Sequence, residues 1–153
     1  TMEIPVDKYR IPLFFYAPGR IAPRKVDRLM SQIDIAPTLL GFTGLSYYSK
    51  FFGRDMMRAP VESDRAFVAN YQTLGYMHDG KLVTLQPKRK VRVSRIDRDG
   101  NILSVLEDSA IAEEAAAFYQ AASFLFRSGL YRDEEQVPPE MRAKAKTEHG
   151  NAG

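Results

Sequence analysis

The first patterned part of the chain predicts a strand followed by a short helix. Residues 11–17, IPLFFYA, form a continuous apolar run that ends at a Pro-Gly pair. Because this run does not alternate with polar positions, it predicts a central strand buried on both faces of a sheet. A loop follows, and Asp34 with Pro37 predicts the first turn of a helix that Gly41 or Gly44 ends.

Between residues 66 and 107 the chain is rich in β-branched and aromatic residues, with turns between the runs. Asp79-Gly80 and Asp99-Gly100 each separate two strand-like runs, which is a strong hairpin signal because glycine tolerates positive φ. We therefore predict two consecutive hairpins in a small antiparallel sheet. Val91 and Val93 alternate with Lys90, Arg92 and Ser94, so one face of that strand should be buried and the other solvated.

An amphipathic helix is predicted over residues 109–128, capped by Asp108 or Ser109 and ended by Gly129. Its apolar positions recur at spacings of three and four: Ile111, Ala115, Phe118, Ala122 and Leu125, with Tyr119 and Phe126 widening the stripe. Residues 133–153 are charged, broken by proline and poor in apolar side chains, and we expect a frayed or disordered tail there.

Composition fits one soluble domain and excludes several kinds of site. The 153 residues are 44% hydrophobic and 27% charged, and the net charge of +3 does not by itself indicate a nucleic-acid partner. Absence of cysteine excludes thiolate catalysis, cysteine-bound zinc and disulfides. No run approaches the roughly 18–20 apolar residues of a membrane span, so we expect that this chain, as given, does not cross a bilayer.

The search for catalytic residues assigns none. The sequence holds no Gly-rich phosphate loop, no HExxH pair and no GxSxG elbow. Its two histidines are His78, in a predicted turn, and His149, in the tail. Asp34 has a sufficient structural role as a helix cap, which we favour over metal binding or acid–base work. We predict no catalytic, cofactor-binding or metal-binding residue, and a chain that is catalytically incomplete alone.

Basic residues offer an alternative function. The segment PKRKVRVSR, residues 87–95, and then Arg98 place Lys88, Lys90 and Arg92 on one face if the segment is a strand. That face could bind nucleic acid or anionic lipid, making the chain a self-contained basic binding module, although a solvated strand face is the commoner explanation. A cluster of cations in the loop could likewise face anionic headgroups, although ordinary solvated charge is the commoner explanation: Arg20, Arg24, Lys25 and Arg28.

Three blocks in residues 9–57 resemble a known family: YRIPLFFYAPG, SQIDIAPTLLGFTGL and FFGRDMM. Their order is similar to the C-terminal part of sulfatase-like enzymes of the alkaline phosphatase superfamily, closest to the lipoteichoic acid synthase and phosphoglycerol transferase branch. The resemblance implies an α+β fragment of an α/β alkaline-phosphatase-like fold. Residues 1–60 would hold an edge strand and helix of the large domain, and residues 61–132 a C-terminal antiparallel subdomain with a closing helix.

The resemblance implies a C-terminal fragment of a membrane-anchored, metal-dependent phosphoglycerol or phosphoethanolamine transferase or hydrolase. In the family an acidic residue, a Thr or Ser nucleophile and an Asp-His pair hold the divalent metal, and all precede the strand at residues 11–17. Glu148-His149 lies in the wrong place to replace that pair. The metal of the parent enzyme (Mn, Mg or Ca) would therefore bind outside this chain.

Partners and location follow from the same resemblance. The parent would lie in the cytoplasmic membrane with this domain periplasmic or extracellular, and the fragment itself would be soluble. Its partner would be the upstream catalytic part of the same polypeptide, acting on a lipid-headgroup phosphodiester or a sulfate ester; a nucleic-acid partner is not expected. A strand at residues 11–17 with bare edges also predicts a homodimer or strand exchange. The ester type, donor, acceptor and metal stay open.

Overall fold

The structure is a computed structural model that describes residues 4–44, 47–50 and 52–132. Those residues form two α-helices, α1 over Ile35–Thr43 and α2 over Ser109–Ser128, and five strands. Four 3₁₀ turns connect or flank them: Val6–Tyr9, Gln32–Asp34, Val61–Ser63 and Leu130–Arg132. The predicted frayed tail over 133–153 and His149 lie outside the described residues.

One antiparallel sheet organises the fold. Its strands are β1 Arg65–Ala69, β2 Leu74–His78, β3 Lys81–Gln86, β4 Lys90–Ile96 and β5 Ile102–Leu106, and they are neighbours in chain order. Both predicted hairpins are present, at β2–β3 and β4–β5, and two further hairpins complete the meander.

The β2–β3 turn shows why the Asp-Gly signal works. His78 pairs with Lys81, which leaves only Asp79 and Gly80 in the loop, at φ 48° and 66°. Positive φ at both central residues is the type I′ geometry that matches the twist of the two strands. The β3–β4 loop also uses positive φ, at Lys88 and Arg89, without any glycine. Those two cations therefore lie in a turn rather than on a strand.

Helix α2 has the predicted bounds and caps. Asp108 accepts a hydrogen bond from the backbone N of Ile111, and Gly129 ends the helix in the left-handed conformation. Phe126, however, is mostly exposed rather than part of the buried stripe, and its ring stacks on Tyr131 instead. Within the described ranges, neither helix has the length and apolar content that crossing a bilayer requires.

The sheet is covered on both faces, which corrects the prediction of one buried and one solvated face in β4. Against α2 lies a core of Tyr76, Val83, Val93, Ile111 and Ala115. On the opposite face Ile4, Val6, Tyr9 and Leu29 pack with residues of β1, β2, β3 and β4. Ser94 and Ile96 are therefore buried on the face that was expected to be wet, whereas Val91, near the hairpin end, is exposed.

Residues 11–17 do not form the predicted strand. They form neither helix nor strand and pair with no described strand, and most of their large apolar side chains are exposed: Ile11, Leu13, Phe14 and Tyr16. A strand needs a neighbour for its backbone N–H and C=O groups, and none of the described strands pairs with this run. The division of the chain at residue 60 stays a prediction.

Candidate functional site

The second and third family-like blocks meet at Asp34, which is 1% exposed. Its Oδ2 accepts a hydrogen bond from the backbone N of Ser31 at 2.8 Å, one bond of a capping box. Its Oδ1 accepts from the backbone N of Arg54, also at 2.8 Å. Asp34 therefore fastens the start of α1 to the Gly-Arg-Asp stretch, but the predicted side-chain cap of α1 itself is not formed, because both carboxylate oxygens are turned to Ser31 and Arg54 instead.

Thr38 forms a second link between the same segments. Its hydroxyl donates to the carbonyl O of Asp34 at 2.6 Å and accepts from the backbone N of Met56 at 3.0 Å. Thr38 and Met56 are both buried. The Pro-Thr pair that follows Asp34 thus joins a helix turn to a loop 18 residues further along the chain.

Close packing explains the glycines of these blocks. A Cβ on Gly53 would collide with the backbone carbonyl of Ile33, and a Cβ on Gly41 would collide with the carboxylate of Asp55. That carboxylate is itself engaged, since Asp55 Oδ1 accepts from the backbone N of Met57 at 2.9 Å. The motif residues here serve close approach and hydrogen bonding.

Two guanidinium groups lie beside this junction. Arg54 donates to the carbonyl of Ser63, and Arg65, only 6% exposed, donates to the carbonyl of Phe52. The Arg65 guanidinium also lies 4.9 Å from the ring centroid of Phe118. Burial, together with the charge of Arg65, lowers the pKa of Arg54. Among the described residues, the Nε atoms of both arginines have no hydrogen-bond partner.

Arg28 forms a structural bridge that sequence reasoning missed. Its guanidinium makes a forked contact with the carboxylate of Asp64, in which Nε lies 3.0 and 3.1 Å from the two oxygens. It also donates to the carbonyls of Met56, Ala59 and Pro60. The hydrogen bond to Asp64 raises the pKa of Arg28. Because 36 residues separate the partners, no local pattern could have paired them.

His78 ends β2 in a setting that satisfies one ring nitrogen. Its Nδ1 lies 2.7 Å from the carbonyl O of Asp64, and its ring lies 6.2 Å from that of Tyr76. The Tyr76 hydroxyl donates to Glu114 at 2.7 Å, and burial with that contact raises the tyrosine's pKa. Nothing in this geometry pairs His78 with a hydroxyl nucleophile among the described residues.

The described residues do not fit a metal ion. Within residues 4–44, 47–50 and 52–132, no three histidine or acidic side chains are grouped closely enough to hold one. The most buried carboxylate, Asp34, already accepts two backbone hydrogen bonds, and those of Asp55 and Asp64 contact Arg58 and Arg28. We derive no metal-dependent step from these residues.

The basic segment does not form the predicted single stripe. Lys88 and Arg89 lie in the β3–β4 turn, and Arg98 lies in the β4–β5 turn. On β4 itself Lys90 and Arg92 share one face, while Arg95 points to the α2 side with Val93. The cause is the tight loop at residues 87–89. Because β4 begins only at Lys90, Lys88 lies in the loop before the strand.

Comparisons with known proteins find similarity to sulfatase-like proteins. Residues 3–45 match the family model described as Sulfatase. The structure is similar to the crystal structure of a protein in the alkaline phosphatase superfamily from Vibrio parahaemolyticus, with 30% sequence identity and a TM-score of 0.68. That match covers 72% of this chain and 28% of the other, so the chain corresponds to about a quarter of that protein.

These similarities support the coarser part of the sequence interpretation. The five-stranded antiparallel sheet with its C-terminal helix is an α+β fragment of the alkaline phosphatase superfamily fold. The matched segment at residues 3–45 is sulfatase-like and includes both the apolar run and the Asp34 capping box.

Proposed function

We propose that this chain is the C-terminal section of a membrane-anchored, metal-dependent sulfatase-like enzyme, a phosphoglycerol or phosphoethanolamine transferase or hydrolase, and that it completes the fold of that enzyme without performing the reaction. The sulfatase match at residues 3–45 is the observation that carries the proposal. It falls on a segment that has no strand partner among the described residues.

The exposed apolar run supports a partner outside the described chain. Phe14 and Tyr16 are 85% and 90% exposed, and Ile11 is 65% exposed. Phe15 packs against Phe42 of α1, with ring centroids 5.1 Å apart, so the run is held near the helix while its other side chains stay free. Large apolar side chains clustered this way are typical of an interaction surface.

In the proposed whole enzyme, residues 11–17 add a strand to a sheet formed by upstream chain. Burying three large apolar side chains would contribute about 1.5–3 kcal/mol of free energy per side chain, which offsets the entropy lost when the strand becomes ordered. The exposed Leu39 and the part-exposed Phe42 on α1 extend the same apolar surface. This account assigns the section a structural role in the catalytic domain.

The chemistry is assigned to the same upstream chain. A divalent metal would there activate a Thr or Ser nucleophile, which attacks a lipid-headgroup phosphodiester or a sulfate ester. The residues of this section would support that site through the Asp34 junction and the Arg28 bridge rather than touch the ester. In this proposal the domain lies outside the cytoplasmic membrane.

The proposal is tested in a chain extended toward its amino terminus. Phe14→Asp should abolish metal-dependent hydrolysis of p-nitrophenyl esters, because a charge would then enter the buried sheet. Tyr71→Asp is the matched control, since Tyr71 is 98% exposed in the β1–β2 turn and lies outside the apolar run. Equal activity of both variants and the parent would overturn the proposed partner surface.

A further inference from the structure

Burial of helix α2 is confined to its first half. Ile111 and Ala115 are buried against residues of β2, β3 and β4, and the Tyr119 hydroxyl donates to a backbone carbonyl of β2 at 2.8 Å. After Tyr119, none of the described residues of α2 is buried. Phe124 and Phe126 are 63% and 74% exposed. Large apolar side chains exposed along a helix are typical of a surface that another segment covers.

A groove runs along this second half of α2. Its volume is about 660 Å³. Apolar and aromatic side chains supply most of its surface: Leu85 of β3, Ala116, Tyr119 and Phe124. Arg127 carries the only charge among the described residues that line it. A groove with this lining is complementary to an apolar segment that has acidic residues at one end.

The chain leaves the described structure beside this groove. The turn Leu130–Arg132 follows α2, and Tyr131 stacks on Phe126 with ring centroids 5.9 Å apart. The next nine residues, DEEQVPPEM at 133–141, lie outside the described residues. In an extended conformation nine residues span about 30 Å. The groove follows residues 116–128, which correspond to about 18 Å of helix, so this segment can reach all of it.

We propose that residues 133–141 dock in this groove of the same chain, with Val137 and Met141 against its apolar wall. The pair Pro138-Pro139 favours a polyproline II conformation. A segment that is already extended in this way loses little conformational entropy when it docks, and aromatic-lined grooves are the surfaces that such segments bind. The docked segment would cover apolar side chains that the described residues leave exposed.

Charge and tethering favour this segment over a separate partner. Three acidic residues, 133–135, begin the segment, and Arg127 lies in the last turn of α2, where the chain would enter the groove. A segment joined to the end of the groove by a short connection has an effective concentration in the millimolar range. The groove is separate from residues 11–17, so this docking does not rest on the proposed enzymatic role.

The test is a disulfide between the groove and the segment, in a chain that has no cysteine of its own. Ser123→Cys lies in the groove and Gln136→Cys lies beside Val137, so this pair should crosslink within one chain under mild oxidation. Ala121→Cys with Gln136→Cys is the matched control, because Ala121 is exposed and lies about 200° around the helix from Ser123. The groove pair should form its disulfide about tenfold faster than the control pair, or more.

Two further variants of the groove pair test which side chains hold the segment. Val137→Asp with Met141→Asp should slow the crosslink to the rate of the control pair, because charges would replace the apolar contacts. Ala143→Asp with Ala145→Asp lies beyond the docked segment and should leave the rate unchanged. Equal rates for the two cysteine pairs, a crosslink between two chains rather than within one, or equal effects of the two aspartate pairs would each overturn the proposal.

Discussion

Asp34 and Arg54 are joined by a hydrogen bond of 2.8 Å from the backbone N of Arg54 to the buried Asp34 carboxylate. The other carboxylate oxygen holds Ser31, so both oxygens are used. Asparagine would keep one acceptor but present an NH₂ group to the second backbone N–H. Asp34→Asn should therefore lower the free energy of unfolding by about 2 kcal/mol, measured by urea denaturation. Asp27→Asn, at an exposed site, should leave it unchanged.

An equal urea midpoint for Asp34→Asn and Asp27→Asn would contradict this account of the junction. It would also reopen the chemical interpretation of Asp34, because a carboxylate that contributes nothing to stability is free for another role.

Gly53 should tolerate no side chain. A Cβ there meets the carbonyl of Ile33, a backbone group that cannot move away without displacing α1. Gly53→Ala should cost about 3 kcal/mol of folding free energy. Gly19→Ala is the control, since Gly19 has φ +78° and open space around it, and strain alone should cost about 1 kcal/mol. If Gly53→Ala lowers the free energy of unfolding less than Gly19→Ala, measured by thermal or urea unfolding, the backbone at Gly53 does not lie tightly against the Ile33 carbonyl.

Removing the Arg28 side chain should destabilise the fold strongly. Asp64 would be left with its carboxylate 14% exposed and without its cation. Breaking such a pair costs about 3 kcal/mol, and three backbone carbonyls lose a donor as well. Arg28→Ala should therefore shift the urea midpoint far more than Arg20→Ala, whose side chain is exposed. Similar midpoints for the two variants would refute the bridge.

Acid sensitivity should depend on Asp108. The hydrogen bond from Lys81, aided by the backbone N of Ile111, lowers the pKa of Asp108. A group whose pKa is depressed on folding stabilises the protein above its unfolded value of about 3.9, and this stabilisation is lost as pH falls through the folded value. Asp108→Asn keeps a capping oxygen but loses the ion pair. Its melting temperature should lie below that of the parent at pH 7, and the gap should close below about pH 4.

A gap that is constant with pH would show that the Asp108–Lys81 ion pair contributes nothing to the pH dependence. Asp97, whose pKa is lowered by the side chain of Asn101, is retained in both proteins and so cancels from the comparison.

The alternative of a basic binding module is tested by the geometry of β4. Only Lys90 and Arg92 share a face of that strand. We therefore expect RNA and anionic vesicles to bind no more tightly than a non-specific ligand, with a dissociation constant of about 10⁻⁴ M at physiological salt. Tighter, salt-dependent binding that is lost in a Lys90→Ser, Arg92→Ser double variant and kept in Arg95→Ser would contradict this expectation. Fluorescence anisotropy with a short RNA and co-sedimentation with vesicles measure the two cases.

Local signals in the sequence predicted much of the fold. Asp79-Gly80 marked a type I′ turn, and Asp108 with Gly129 marked both ends of α2, because each of these depends on neighbours within a few residues. The prediction was wrong where distant segments decide the outcome. Ser94 is buried because residues at the amino-terminal end cover its face of the sheet, and Arg28 is half-buried against Asp64, 36 residues away.

At residues 11–17 the prediction of burial was wrong for a related reason: the side chains that were predicted to be buried are exposed. Its composition predicts a buried strand, yet burial requires neighbours that the described residues do not supply. The candidate site was predictable only in part: the position of Asp34 at the start of α1 follows from its spacing to Pro37, but its side chain does not cap that helix. Its bond to Arg54 depends on a loop 20 residues away.

The central claim is that the catalytic groups lie outside this chain. The most direct measurement is the rate of p-nitrophenol release from p-nitrophenyl phosphate, bis-p-nitrophenyl phosphate and p-nitrophenyl sulfate, with Mn²⁺, Mg²⁺ or Ca²⁺ added. The 153-residue chain should show no metal-dependent release, and a chain extended toward the amino terminus should release p-nitrophenol from at least one ester. Metal-dependent release by the 153-residue chain itself would contradict the account and make Asp34, Asp55 and His78 the first residues to substitute.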